Sequence, residues 1–128
     1  MAAKQVLVMR KMAKGCRTGK YCAQSAHASL GAIFSIGKMT KEGLFIPFDD
    51  PFVRDWVVGN FKKVTVYVED DQQLIEIYKQ AKQANIPAAL IKDAGLTEFN
   101  GVATLTAVGI GPSDEDVINK ITGHLPLF

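Results

Sequence analysis

Cysteine is scarce in this chain of 128 residues: Cys16 and Cys22 are its two. Two thiols exclude a disulfide framework and a four-cysteine zinc site. Histidine is equally rare, and His27, His124 and the cysteines are too scattered to match a metal-ligand spacing. No apolar run approaches the roughly 18 residues of a membrane span. The opening MAAKQVLVMRKM has no apolar core followed by a small-residue cleavage site, so a cytoplasmic protein is expected. Internal repeats and low-complexity tracts are absent. Acidic residues are missing from the first 41 positions; the first is Glu42.

What is there describes one globular domain over 1–128. Hydrophobic residues make up 48% and charged residues 22%, a balance that excludes disorder as the main state. The net charge is +2, but it is segregated. Residues 1–41 carry eight basic side chains, and the remainder carries seven basic and thirteen acidic ones, a net −6. Such asymmetry suits either an anionic partner on one face or a solvated basic surface.

Gln5–Arg10 is a short apolar run and predicts a strand. The basic loop 11–19 leads to a helix over about Gly19–Gly37, with Thr18 as its expected cap. Small residues fill that helix, and Gly31 in its interior suggests close approach to a sheet. Lys38–Phe61 holds two prolines, two glycines and several aromatics. It predicts an extended connection with one short helix near Phe52–Val58. Lys62–Glu69 alternates valines with Thr65 and Tyr67 and predicts an interior strand. Asp70 and Gln73 then form a capping box for a helix ended by Asn85 and Pro87. Ala88–Ile91 and Thr104–Ile110 predict two more strands joined by a return over 92–103. Pro112 and Ser113 are expected to open the last helix. The order β-α-β-α-β-β-α predicts a three-layer α/β/α sandwich around a small, mixed, mostly parallel four-stranded sheet.

Gly15–Gly19–Lys20 imitates a phosphate-binding loop, but three residues separate the glycines and Tyr21 follows the lysine, which disfavours nucleotide binding. Lys20, Gln24 and His27 fall at i, i+4 and i+7, within about 60° of one another around the helix. They form either a functional stripe or a solvent face. Lys20 in the first turn opposes the helix dipole and calls for an anion. Asp93 and Thr97 follow the end of a strand, where ligand sites form in open α/β sheets; an Asp turn closed by a hydroxyl fits them equally. Thr104 and Thr106 share one strand face. Cys16 sits among cations that would lower its pKa, with no base tied to it. Cys22 points away from the stripe and is expected to be packed.

GKYCAQSAHASLG (Gly19–Gly31), KDAGLTEFNGVATLTAVGIGP (Lys92–Pro112) and INKITGHLPLF (Ile118–Phe128) together resemble the type 2 peptidyl-tRNA hydrolase family. The family pattern is a basic loop, a GK-x-x-A-Q-x-x-H-A helix, a D-x-G-x-T turn, a threonine strand running into IGP, and a K-[VI]-T-G-H-L ending. The resemblance covers nearly the whole chain; the 38–61 connection is longer than the pattern. It implies hydrolysis of the ester between a peptidyl or N-blocked aminoacyl group and the 3′ end of tRNA, recycling the tRNA. It implies no metal or organic cofactor, and a homodimer. The positions matching the family's functional residues are Lys20, Gln24, His27, Asp93, Thr97 and Thr106, with Thr104 one strand repeat before Thr106.

Ester hydrolysis needs a nucleophile, a proton acceptor and a stabilised oxyanion. Asp93 is expected to serve as base, directly or through His27, toward a water or Thr97. Lys20 and Gln24 are expected to donate to the oxyanion or a phosphate. Arg10, Lys11, Lys14 and Arg17 suit the phosphates of the tRNA. The rival reading is a non-catalytic RNA-binding or adaptor module on the same fold.

Overall fold

The computed structural model describes residues 2–95 and 101–128. Strand β1 spans Ala3–Arg10, and helix α1 Thr18–Phe34. A two-stranded hairpin follows, β2 at Lys38–Thr40 and β3 at Gly43–Phe45. Helix α2 is short, Pro51–Asp55, and runs into a π turn at Trp56–Asn60. Then come β4 at Lys63–Val68, α3 at Asp71–Gln83, β5 at Ala88–Asp93, β6 at Thr104–Asp114 and α4 at Glu115–Thr122.

The main sheet has the order β4-β1-β6-β5. β1 and β4 pair in parallel, while β6 pairs antiparallel with both β1 and β5. Three strands therefore point the same way, yet only one of the three pairings is parallel. The expected mostly parallel pairing is corrected for this reason. The chain returns from β5 by a short connection, and β6 inserts between β5 and β1 instead of lying outside them.

The two sheet faces are filled by different helices. Val6 and Val8 of β1 join Val66, Val68, Val108 and Ile110 in a core closed by Leu74 and Ile77 of α3 and Ile118 and Ile121 of α4. Leu7 and Met9 point to the opposite face and pack with Ala28 of α1 and Ala107. The three-layer expectation holds: α1 packs on one face of the sheet, and α3 and α4 pack on the other.

Small residues let α1 lie close. A Cβ at Gly31 would come within 3.0 Å of the Ala89 Cβ, and one at Gly109 would overlap the Ala28 carbonyl. The buried amide of Gln5 fastens the same contact, donating from Nε2 to Ser29 O at 3.0 Å while its Oε1 accepts from the Ser29 hydroxyl.

Several boundaries differ from expectation. Arg17, not Thr18, occupies the N-cap of α1, and its side chain makes no capping bond. Pro112 and Ser113 remain in β6, and Asp114 caps α4 by accepting from Asp116 N. The 38–61 connection contains the unforeseen β2–β3 hairpin. β4 lies at a sheet edge rather than inside, since the strand order is β4-β1-β6-β5, and the apolar Pro126–Phe128 segment covers its outer side. Asp70 caps α3 as expected, accepting from Gln73 N at 2.8 Å.

Candidate active site

The strands β1 and β5 end at one side of the sheet, and β6 begins there. The loop from β1 delivers the N-terminus of α1 to that same side. Four side chains from three elements meet at this place.

Asp93, the last residue of β5, is the centre. Its Oδ2 accepts from Lys20 Nζ at 2.8 Å and from Gln24 Nε2 at 2.9 Å. Its Oδ1 accepts from the backbone N–H of Gly95 at 2.7 Å. Gly95 has φ +81°, a left-handed conformation that glycine adopts without cost, and a Cβ there would collide with the backbone of Val102. Gln24 then accepts at Oε1 from the Thr106 hydroxyl at 2.6 Å. A carboxylate only accepts, so the amide nitrogen of Gln24 must face Asp93 and its oxygen Thr106. The result is a continuous chain Lys20–Asp93–Gln24–Thr106.

This chain is shielded from water. Gln24 and Thr106 are buried, and the Lys20 and Asp93 side chains are each 14% exposed. The Lys20 ammonium, above all, holds the Asp93 carboxyl below the usual carboxylate range; the Gly95 N–H adds to this, partial burial opposes it, and the Gln24 amide assists. The anion that Lys20 called for in the first helical turn is thus supplied from within the chain.

Thr106 reaches α1 through a register shift. Ile91 pairs with Ala107, but Lys92 pairs with Leu105, leaving Thr106 as an extra residue on β6. Such a bulge lets neighbouring side chains share a face. Strict alternation would have sent Thr106 to the face of Val108 and Ile110, which pack against α3 and α4. Thr104 lies below the bulge and turns its hydroxyl to Val102 O at 2.9 Å, outside the network.

A narrow cleft, about the size of one water, opens beside this chain, bounded by Met9, Arg10, Met12, Cys16 and Tyr21 as well as Lys20, Gln24 and Thr106. The Arg10 guanidinium donates to Leu105 O at 3.3 Å. The Tyr21 hydroxyl accepts from Met12 N at 2.9 Å and ties the basic loop to α1. The sequence offered no sign of that tie, because it joins a backbone group to a ring nine residues away. Lys11 lies on the β4 side, its Nζ 5.1 Å from the Tyr67 ring centroid. Lys14 and Arg17 are exposed on the loop between β1 and α1.

The other expected residues fall elsewhere. His27 is exposed, and its side chain makes no hydrogen bond among the described residues. The buried face of α1 is Gln24, Ala28 and Ala32, a row that drifts away from His27 at each turn. Thr97 lies outside the described residues. Cys22 is exposed, which corrects the expectation that it is packed. Among the described residues, no three His, Cys, Asp or Glu side chains are grouped to hold a metal ion. No helix among them is long and apolar enough to cross a membrane.

The family model described as peptidyl-tRNA hydrolase PTH2 matches residues 3–128. The peptidyl-tRNA hydrolase of Methanopyrus kandleri is 40% identical over 125 residues, covering 98% of this chain and 97% of its own. That of Methanothermobacter thermautotrophicus is 40% identical over 128 residues, covering 98% of this chain and 99% of its own. That of Thermococcus onnurineus is 37% identical over 124 residues, covering 97% and 96%. Matched over nearly its full length and carrying the Lys20–Asp93–Gln24–Thr106 chain at the end of its sheet, this chain belongs to the peptidyl-tRNA hydrolase PTH2 family.

Proposed function

We propose that this chain, acting as one domain, hydrolyses the ester between a peptidyl or N-blocked aminoacyl group and the 3′ ribose of tRNA, and so recycles the tRNA. The observation that carries this reading is the shielded Lys20–Asp93–Gln24–Thr106 chain beside a narrow cleft, in a member of the peptidyl-tRNA hydrolase family.

A water oxygen bonds to the acyl carbon, and the carbon–oxygen bond to the ribose breaks. The ribose oxygen takes one proton, and the new carboxylic acid releases another to solvent. Negative charge develops on the acyl oxygen during the attack. Lys20 lies at the cleft and stabilises that charge as a fixed cation in a partly dry site. Gln24 contributes an amide dipole whose direction is set by its two neighbours.

Asp93 is a weak candidate for the base. Both its oxygens already accept hydrogen bonds, and its proton affinity is reduced. Its role is to anchor Lys20 and Gln24. Thr106 fixes the far end of Gln24. Thr97, four residues after Asp93 in sequence, is proposed to help hold the attacking water. His27 stands outside this arrangement and is given no role in it. Arg10, which lines the cleft, and Lys11, Lys14 and Arg17 on the loop after β1 are proposed to hold tRNA phosphates. A cytoplasmic location and a homodimer belong to the same proposal.

The deciding experiment is release of an N-acetyl amino acid from charged tRNA by the purified protein, with and without a chelator. Equal release in both arms is expected. Binding of the tRNA without release would replace this reading with the RNA-binding module. Release abolished by the chelator would contradict a metal-free hydrolysis.

A further inference from the structure

A second concavity lies on the other side of Tyr21. Residues Pro126–Phe128 run along the free edge of β4: Tyr67 N–H donates to Pro126 O at 3.1 Å and Phe128 N–H to Thr65 O at 3.1 Å. This antiparallel segment brings the Phe128 ring edge-on to Tyr21, with centroids 4.9 Å apart, and 5.6 Å from the Tyr67 ring. Between α1 and β4 it leaves an open groove of about 210 Å³, lined by Met9, Tyr21, Cys22, Ser25, Thr65 and Phe128. Met9 and Tyr21 also line the cleft beside Lys20, so the two depressions are neighbours with a shared wall.

The lining offers two chemistries, and Lys11 beside it adds a third. Phe128 is 46% exposed and offers an aromatic face. Thr65 offers a hydroxyl, and Ser25, whose own proton goes to Cys22 O at 2.8 Å, offers an acceptor oxygen. Lys11 adds a cation near the adjoining Tyr67 ring. An aromatic face, hydrogen-bonding groups and a neighbouring cation are what an unpaired nucleotide uses: stacking for the base, hydrogen bonds for its edge and a positive charge for its phosphate. An apolar acyl side chain would use only the first. The groove adjoins the cleft beside Lys20 and is therefore within reach of the unpaired nucleotides next to the ester.

We propose that the groove between Tyr21 and Phe128 binds an unpaired nucleobase of the tRNA 3′ strand, stacked on Phe128. This rests on the function proposed above. It makes Phe128 a substrate-binding residue that reads single-strandedness at the end of the acceptor stem.

The test compares binding of two RNAs, intact tRNA and the same tRNA lacking its unpaired 3′ nucleotides, to the full chain and to two variants. Phe128→Ala removes the stacking face; Ser25→Leu fills the groove without touching the Phe128 contacts. Each variant is expected to bind intact tRNA about tenfold more weakly, within the range of one lost base stack, and truncated tRNA as well as the parent does. Phe128→Tyr should restore binding. On N-acetyl-aminoacyl-tRNA the variants should raise KM by more than they lower kcat. The proposal is overturned if both RNAs lose affinity equally, if neither variant changes intact-tRNA binding, or if the parent binds the two RNAs alike. Because binding is read without turnover, a parent protein that fails to release the acyl group sinks the hydrolase reading while leaving this comparison legible.

Discussion

Asp93 accepts from a lysine, an amide and a backbone N–H, and this decides what its carboxylate does. Replacing it by Asn keeps the shape but turns one acceptor into a donor facing Lys20 or Gly95. Asp93→Asn is expected to lower kcat by about 100-fold, the scale for losing a positioned electrostatic group, with a much smaller change in KM. Steady-state kinetics on N-acetyl-aminoacyl-tRNA check this; equal turnover would remove Asp93 from the machinery. The lowered pKa has a second consequence. A carboxyl depressed in the folded state stabilises the fold at pH values above its unfolded pKa of about 3.9, and that contribution disappears as pH falls through the folded value. Urea unfolding should therefore show no change from Asp93 between about pH 7 and pH 5. Below about pH 4, wild type should lose more stability with falling pH than Asp93→Asn does.

At the scale of elements, the site depends on how closely α1 meets the sheet. Gln24 and Ala28 are one turn apart on that helix, and Gly109 of β6 sits directly under the Ala28 carbonyl. Any side chain at 109 pushes α1 outward and stretches the bond between Gln24 and Thr106. Gly109→Ala is expected to cost about 1–3 kcal/mol, the range for overpacking a core, measured by urea unfolding. Its activity should fall even where the protein remains folded, because Thr106 and Gln24 separate. The bulge at Thr106 works in the same direction. It turns one hydroxyl toward α1 while the residues beyond it continue to fill the opposite core.

For the whole molecule, charge is arranged by position along the fold. The basic first 41 residues form β1, the loop at the cleft, α1 and the start of the β2–β3 hairpin. The loop is the part next to the site. Neutralising Lys14 and Arg17 together should weaken binding to different tRNAs alike. It should also reduce the slope of log K against log salt by about 1.4–1.8, since each of the two lost phosphate contacts removes about 0.7–0.9. Titrations at several salt concentrations read this directly. An unchanged slope would move the tRNA face away from the loop.

The α/β class and the helices and strands that frame the site were legible in the sequence. Local rules suffice for these: apolar periodicity, capping at Asp70 and small residues along α1. Lys20, Gln24, Asp93 and Thr106 stood out through the family resemblance of their motifs, since spacing alone left a solvent face and an ordinary turn equally open. The sequence placed the strand and helix edges near Thr18 and Pro112 less well, because caps and strand ends are decided by neighbours in space. That β6 runs between β1 and β5 is visible in the three-dimensional fold alone, since strand order depends on which edges meet. Only that fold separated Lys20 and Gln24, which reach Asp93, from His27, which lies on the same stripe but past the edge of the buried face. Helical spacing sets which side chains share a side, whereas the packing of α1 on the sheet sets which of them are enclosed. The covering of β4 by Pro126–Phe128, and the groove that results, belong to the same level: they join residues about sixty positions apart, a contact no local pattern records.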